Sequence, residues 1–443
     1  MVWSAGRAAA TWRQSLLVMC VAGVLSGSAA LAEPGQLYAE AAFLPSAGLA
    51  IMPQAADSTQ FRTLKSRLRS RWPTNGWAVS TPEAQGLDSD VLADAMDTIQ
   101  ARHLPVHSLL VERHGAIVLD AYFHPFADNQ LHDVASITKS VLSTVVGIAI
   151  GEQRFVDLNT PVLALYPDAI AQLDAWKSDI TLGEMLSMTS GLDCGVDPAS
   201  GRNFLQQMEQ SLHWASFALE RPVTAAPGRT FAYCAGNMQV ISAALTRTIG
   251  ENAASLAERE LFAPLGIEHV VWPADGDGNS HGFADLKLQP RDMAKLGYLW
   301  LHRGEWEGRP LVPASYLRAA FRPHAQVEPG VSYGYGMWVY PERGHSGGPP
   351  DIEANGHGGQ RIAVVPSQDM VVVITGSGLD ANQVASLLVD APRSRRALAP
   401  NLAGDARLSV RVAEAEQTSG ARLSAKPTTR EPVPVQTAVL IHH

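Results

Sequence analysis

Apolar residues recur along this chain in two rhythms, a strand-like one near both ends and a helical one between. From Leu87 to Gln100 they fall three and four apart, the spacing of one helix face, which predicts an amphipathic helix. His107–Val111 and Ala116–Phe123 are short β-branched and apolar runs around Arg113-His114-Gly115, which predicts a hairpin. Arg361–Val365 and Met370–Thr375 flank Pro366-Ser367-Gln368-Asp369 and predict a second one.

Between the hairpins the pattern is helical. Val141–Ile150 is apolar nearly all round, which suits a helix buried inside the domain. Asp157-Leu158-Asn159-Thr160-Pro161 makes a turn, and Thr181-Leu182-Gly183-Glu184 is a capping box opening a helix that stops by Gly191. Pro227-Gly228 marks another turn, Asn237–Ile249 a helix stopped by Gly250, and Pro290-Arg291-Asp292 a helix start. Helical patterns fill the chain through about residue 265, and no internal repeat appears. Strands at both ends around a helical block predict an α+β fold. Its antiparallel sheet is built from both ends of the chain, flanked by helices, and carries an inserted all-helical lobe.

The flanks read differently. Residues 1–32 have the form of a secretory signal: Arg7 and Arg13, an apolar run from Leu16 to Leu25, and Ala30-Leu31-Ala32 before Glu33. The run is too short and too broken by glycine and serine for a membrane anchor, and no later segment resembles a span. Residues 33–76 read as an extension or linker, with a basic run from Phe61 to Arg71 that suits a solvated helix. Residues 77–392 form the expected domain. From 393 to 443 the Ala, Arg, Ser, Thr and Pro content predicts a poorly ordered tail.

Composition narrows the function classes. An apolar content of 46% and a charged content of 17% describe a globular protein, and a net charge of −9 argues against nucleic acid as a partner. Removing the signal takes away two arginines and no acid, which moves the charge to −11. An exported, periplasmic or secreted protein is expected, monomeric or weakly dimeric. Of three cysteines, Cys194 and Cys234 remain after export, and an oxidising compartment predicts a disulfide between them, two free thiols being the alternative. No zinc-type spacing such as H-E-x-x-H occurs, so neither metal nor cofactor is expected.

The candidate chemistry starts at Val134-Ala135-Ser136-Ile137-Thr138-Lys139-Ser140. Residues three apart on a helix share a face, so Oγ of Ser136 and Nζ of Lys139 can meet. A serine hydroxyl needs an adjacent base, and a lysine serves only where burial or a neighbouring charge lowers its pKa. Such a pattern arises by chance about once or twice per chain, so its weight comes from company.

That company resembles a family. Ser136-x-x-Lys139 heading an apolar helix resembles the first motif of the serine β-lactamase and penicillin-binding-protein superfamily. Leu186-Ser187-Met188-Thr189-Ser190-Gly191-Leu192, Pro227-Gly228-x-x-Phe231-x-Tyr233, Pro290-Arg291-Asp292-Met293-Ala294-x-Leu296-Gly297 and Tyr333-Gly334-Tyr335-Gly336-x-Trp338 resemble its class C branch, with the esterase and 6-aminohexanoate-dimer-hydrolase relatives. The resemblance runs from about residue 77 to 385. It implies a catalytic Tyr233 whose phenol must either be drawn down by the field of Lys139 or share its proton with that lysine. It also implies an oxyanion hole from the backbone N–H groups of Ser136 and of a residue on the neighbouring strand. Where the lactamase branch has an asparagine two residues after the tyrosine, this chain has Ala235; Asn237 suits a helix N-cap better than a substrate contact.

The family's Lys-Thr-Gly is missing. His345-Ser346-Gly347, Ala354-Asn355-Gly356 and His357-Gly358-Gly359 compete for its place, and distance to the turn at Pro366 favours Ala354-Asn355-Gly356, which makes His357 the second oxyanion donor. Trp214, Tyr335 and Trp338 are candidates to line a substrate pocket, core packing being the alternative. Without the lysine that would bind a β-lactam carboxylate, the expectation tilts to an exported serine hydrolase cleaving a small ester or amide through an acyl-enzyme on Ser136. The alternatives are a class C-type β-lactamase or D-amino-acid peptidase, and a catalytically silent module that binds cell-wall peptides.

Overall fold

The computed structural model describes residues 72–417, apart from 168–175, 196–202 and 342–347. The expected signal, the basic run, residues 418–443 and His345 lie outside the described residues. The main sheet takes β1 (Ala78–Val79), β2 (Val106–Arg113) and β3 (Ala116–Tyr122) from early in the chain. From its late part come β8 (Ala325–Glu328), β9 (Val331–Tyr333), β10 (Trp338–Tyr340), β11 (Asp351–Gly356), β12 (Gln360–Val365) and β13 (Met370–Gly376). Two strands, β4 (His132–Asp133) and β5 (Lys287–Leu288), pair apart from it, as do β6 (Glu305–Trp306) and β7 (Arg309–Pro310).

The nine strands run in the order β1-β3-β2-β13-β12-β11-β10-β9-β8. Both expected hairpins are present, and β13 closes the sheet against β2. All pairs are antiparallel except β1 beside β3. The register puts Val373 between Leu110 and Ile362 on one face, and Val372 between Val111 and Ala363 on the other. Every residue of β13 is buried. Both faces are covered, which is why this strand reads as an unbroken apolar run and not as an alternation.

Each face has its own core. The inner face packs on α2 (Ile137–Gly151), on α8 (Pro290–Leu301) and on the helical lobe between them. That lobe contains α3 (Leu182–Leu186), α4 (Phe204–Glu209), α5 (Trp214–Glu220), α6 (Ala235–Ile249) and α7 (Ala253–Ala257). The outer face packs on α1 (Ser89–Ala101), the helix expected from Leu87 onward. The capping box at α3 is complete: Thr181 Oγ1 accepts from the Glu184 N–H while Glu184 accepts from the Thr181 N–H.

The expected tail is a helix over part of its length. α11 (Leu402–Gln417) lies along α1, with Leu408 and Ala415 buried in the outer core. Asp90, Asp94 and Asp97 line one side of α1, and Arg407 and Arg411 reach them across 310 residues of sequence. The apolar stripe of α11 is thin, so its stability comes from a partner helix that local composition does not reveal. Among the described residues no helix is long and apolar enough to cross a membrane.

Candidate active site

Ser136 stands at the N-cap of α2, the most buried helix of the inner core. The turn before it is held from three sides. Asp133 Oδ1 accepts the Ala135 N–H at 2.8 Å, and Thr138 Oγ1 donates to the Ala135 carbonyl at 2.6 Å. The Val134 N–H bonds the Leu286 carbonyl, and β4 pairs with β5. Ala135 adopts φ 47°, a left-handed conformation that a non-glycine residue keeps only where its surroundings impose it.

One helical turn on, Lys139 is 2% exposed. Its Nζ donates to Ser136 Oγ at 2.8 Å and to the Phe283 carbonyl at 2.8 Å. Burial lowers its pKa to about 7. An ammonium there loses its water and gains no counter-ion among the described residues, so the neutral amine is the favoured form above pH 7.

Tyr233 arrives on the loop before α6. The stretch Leu186–Leu192 is the scaffold for that loop: the Ala232 N–H bonds the Met188 carbonyl, and the Gly228 N–H bonds the Thr189 carbonyl. Cys234 is bonded to Cys194 across 40 residues, with Cα atoms 5.5 Å apart. Closing a loop of that length stabilises a fold by about 4 kcal/mol on chain-entropy grounds. The Tyr233 ring lies 4.8 Å from Lys139 Nζ, and its hydroxyl is hydrogen-bonded to Ser136 and Tyr333. Burial pushes the phenol up to about 12, the two hydroxyl neighbours opposing the rise. Tyr233 is 41% exposed, so water tempers that rise. The shift is thus opposite to the downward pull expected from Lys139, because burial of the phenol itself dominates.

Gly356 ends β11 against the turn that precedes Ser136. A Cβ there would fall 2.3 Å from the Val134 carbonyl oxygen, so only glycine allows this approach. It brings the end of β11, after which comes the exposed His357, against Val134 and Ala135. Neither the Ser136 nor the His357 N–H has a protein acceptor among the described residues.

The rest of the expected site separates. Ala354 is 1% exposed and packs in the inner core, so its side chain meets no substrate. Asn355 points to the opposite face of the sheet, as strand alternation requires, where it donates to Glu353 and accepts from Arg361. Tyr335 stacks on His324 at 3.9 Å and reaches Gly183, while Gly336, at φ 72°, wedges between α2 and α3. Trp338 does lie beside Tyr233, with ring centroids 6.1 Å apart, and Phe231 and Tyr333 complete that aromatic wall. Trp214 heads α5 and packs on His281 at 4.6 Å and on Phe283 at 5.9 Å.

Asn237 is not an N-cap. Helix α6 starts two residues earlier, and Asn237 is fully buried, accepting from Ser190 Oγ at 2.9 Å. The Phe283 carbonyl and Tyr333 were not visible as site groups, the first because a backbone oxygen has no sequence signature. Among the described residues no group of three or more His, Cys, Asp or Glu is placed to hold a metal ion.

The Beta-lactamase family model matches residues 90–391. The chain is 23% identical over 320 residues to the 6-aminohexanoate-dimer hydrolase of Paenarthrobacter ureafaciens, covering 68% of this chain and 80% of that one. Its fold is similar to that of a putative 6-aminohexanoate-dimer hydrolase from Bacillus anthracis, with a TM-score of 0.58 and 19% identity over 72% of this chain and 85% of that one. It is similar also to EstCE1, a hydrolase with promiscuous acyltransferase activity, with a TM-score of 0.56 and 18% identity over 68% and 99% of the two chains.

Proposed function

This chain belongs to the β-lactamase family, as a serine hydrolase, and from that premise we propose that it cleaves a small ester or amide through an acyl-enzyme on Ser136. The observation that carries the reading is the Lys139 Nζ to Ser136 Oγ contact at 2.8 Å, inside a site that lowers the lysine to about 7.

Lys139, as the neutral amine, takes the Ser136 proton while Oγ adds to the carbonyl carbon. The N–H groups of Ser136 and His357 hold the developing oxyanion, aided by the positive end of α2. Tyr233, a phenol at neutral pH, donates its proton to the leaving oxygen or nitrogen, and Lys139, which holds the proton taken from Ser136 and lies 4.8 Å from the Tyr233 ring, returns it to the phenolate. Water then releases the acyl group by the reverse sequence.

Two features favour esters and amides over β-lactams. Arg361, a buried cation of the β11–β12 hairpin, faces away from Ser136 and is engaged by Glu353 and Asn355, so it offers a β-lactam carboxylate nothing. Asn237 is spent inside the lobe. The aromatic wall of Phe231, Tyr233, Tyr333 and Trp338 suits an apolar acyl or alcohol group. Names of relatives support the same classes, 6-aminohexanoate dimer among them. Export remains part of the proposal, supported by the apolar leader at residues 1–32 and by the Cys194–Cys234 bond.

A fluorophosphonate probe tests the nucleophile: it should label the wild-type protein on one residue, and Ser136→Ala should abolish labelling. Equal labelling of the variant refutes the assignment. Faster turnover of a chromogenic cephalosporin than of p-nitrophenyl esters would instead favour a β-lactamase or D-amino-acid peptidase.

A further inference from the structure

One wall of the site is a segment whose side chains the proposed mechanism does not use. Residues 281–288 border the nucleophile turn along its length. The Phe283 carbonyl accepts from Lys139, the Leu286 N–H bonds Thr138 Oγ1 at 3.3 Å, and the Leu286 carbonyl accepts from Val134. A hydrogen bond spans the middle of this segment: His281 Nδ1 and Asp285 Oδ2 are 2.7 Å apart. Between the two lies Phe283, 2% exposed.

Two more observations show that the segment is tied down on purpose at this point. Asp285 adopts φ 69°, a left-handed conformation that aspartate tolerates better than most residues and that its bond to His281 helps hold. On the His281 side, the Gly282 N–H is bonded by Gln239 Oε1 at 2.8 Å, Gln239 being fully buried, and Trp272 Nε1 donates to the His281 carbonyl at 2.8 Å. The His281 ring is packed between Trp214 and Phe283. The backbone is therefore held on both sides, at His281 and Gly282 and again at Leu286, and the His281–Asp285 bond braces the span between them that carries Phe283.

We propose that His281 and Asp285 form a clasp that positions Lys139 by fixing the Phe283 carbonyl over it. The consequence is orientational. A neutral amine has two N–H groups and one lone pair. With one N–H committed to the Phe283 oxygen, rotation about the Cε–Nζ bond is restricted and the lone pair can be kept on the Ser136 hydroxyl. The clasp also keeps the segment closed over the amine, and burial is what lowers the Lys139 pKa. The groups facing the clasp are Glu209 and Lys287. Burial first, and Asp285 second, raise the Glu209 carboxyl, whereas His281 first, with Lys287 assisting, holds Asp285 below its usual range. His281 and Asp285 are positioning residues, since the structure puts neither against Ser136. The proposal rests on the reading of Lys139 as the base, and it names which residues make that base competent.

Three variants separate the clasp from its surroundings. Asp285→Gly removes the carboxylate without straining the backbone, because glycine accepts φ 69° freely. His281→Phe keeps the ring between Trp214 and Phe283 but has no N–H to donate. Asp285→Asn keeps both an acceptor and tolerance for the left-handed conformation, and serves as the conservative rescue. Two readouts are taken on each folded variant. The first is the pH dependence of phosphonylation by a fluorophosphonate. The second is the titration of Lys139 by NMR of 13Cε-labelled lysine, its signal among six lysines being assigned with Lys139→Met.

Asp285→Gly and His281→Phe should each slow phosphonylation at pH 7 by about tenfold or more. Both should raise the Lys139 midpoint from about 7 by roughly one pH unit, as water reaches the amine. Asp285→Asn should stay within about threefold of wild type, with an unmoved midpoint. The two disruptive variants act from opposite ends, so either one that keeps the wild-type circular dichroism decides the outcome. An unmoved midpoint in such a variant overturns the clasp, as does an Asp285→Asn protein as impaired as Asp285→Gly. A wild-type protein that the probe does not label at Ser136 would sink the proposed function instead, and the Lys139 titration would still decide the clasp.

Discussion

Replacing Lys139 by methionine should make the protein's stability depend less on pH, by an amount the site predicts. Burial holds the folded lysine at about 7, against an ordinary value of 10.5. The unfolded chain therefore binds a proton that the native state refuses between about pH 7 and 10.4. In that window wild-type stability rises with pH by about 1.4 kcal/mol per unit; below it the whole cost of roughly 5 kcal/mol is present, and above it the cost vanishes. Methionine has similar length and no charge, so it removes this cost at every pH. It also leaves the Phe283 carbonyl and the Ser136 hydroxyl without the amine, at about 1–3 kcal/mol each. Near pH 6 the variant should be as stable as wild type or more so, and near pH 10 clearly less stable. Integrated over the two titrations, the difference between the proteins should change by about 4 kcal/mol across that range. Urea unfolding of both proteins at one-unit pH steps measures it. A difference that stays constant within about 1 kcal/mol would mean that Lys139 is charged in the native state, and the proposed base would be lost with it.

The same titration fixes the pH profile of the reaction: kcat/KM for an activated ester should rise through an apparent pKa near 7 and remain level to about pH 10, since the Tyr233 phenol titrates near 12. A profile that falls between pH 7 and 10 would contradict both assignments. Gly356→Ala should lower kcat by about a hundredfold or more with a smaller change in KM, because its Cβ would meet the Val134 oxygen at 2.3 Å and push the His357 N–H away from the oxyanion. Full activity in that variant would show that this strand does not supply the second donor.

Much of the fold was legible because its signals are local. The two hairpins, the α1 amphipathic stripe, the Thr181 capping box and the all-apolar α2 each follow from spacing or turn chemistry within a dozen residues. Ser136 and Lys139 were legible for the same reason, since a helix brings i and i+3 together unaided. What failed depended on distance. Helix α11 owes its place to aspartates 310 residues earlier, and composition alone made it a tail. Asn355 became a candidate through its distance from the turn at Pro366, and Tyr335 as an aromatic that could line a pocket or pack in the core. Alternation along β11 turns Asn355 to the other face, and the Gly336 wedge leaves Tyr335 stacked on His324. The direction of the Tyr233 shift was missed because it comes from burial of the phenol itself, and burial is a property of the packed site.

The proposed reaction turns on a covalent intermediate on Ser136 formed with Lys139 as base. Rapid mixing of the wild-type protein with a p-nitrophenyl ester, acid quench and intact-mass spectrometry would reveal it. A species heavier than the protein by one acyl group, located on the Ser136 peptide, should form in a burst stoichiometric with enzyme and be absent from Ser136→Ala. Acylation on another residue, or turnover by Ser136→Ala at the wild-type rate, would contradict it.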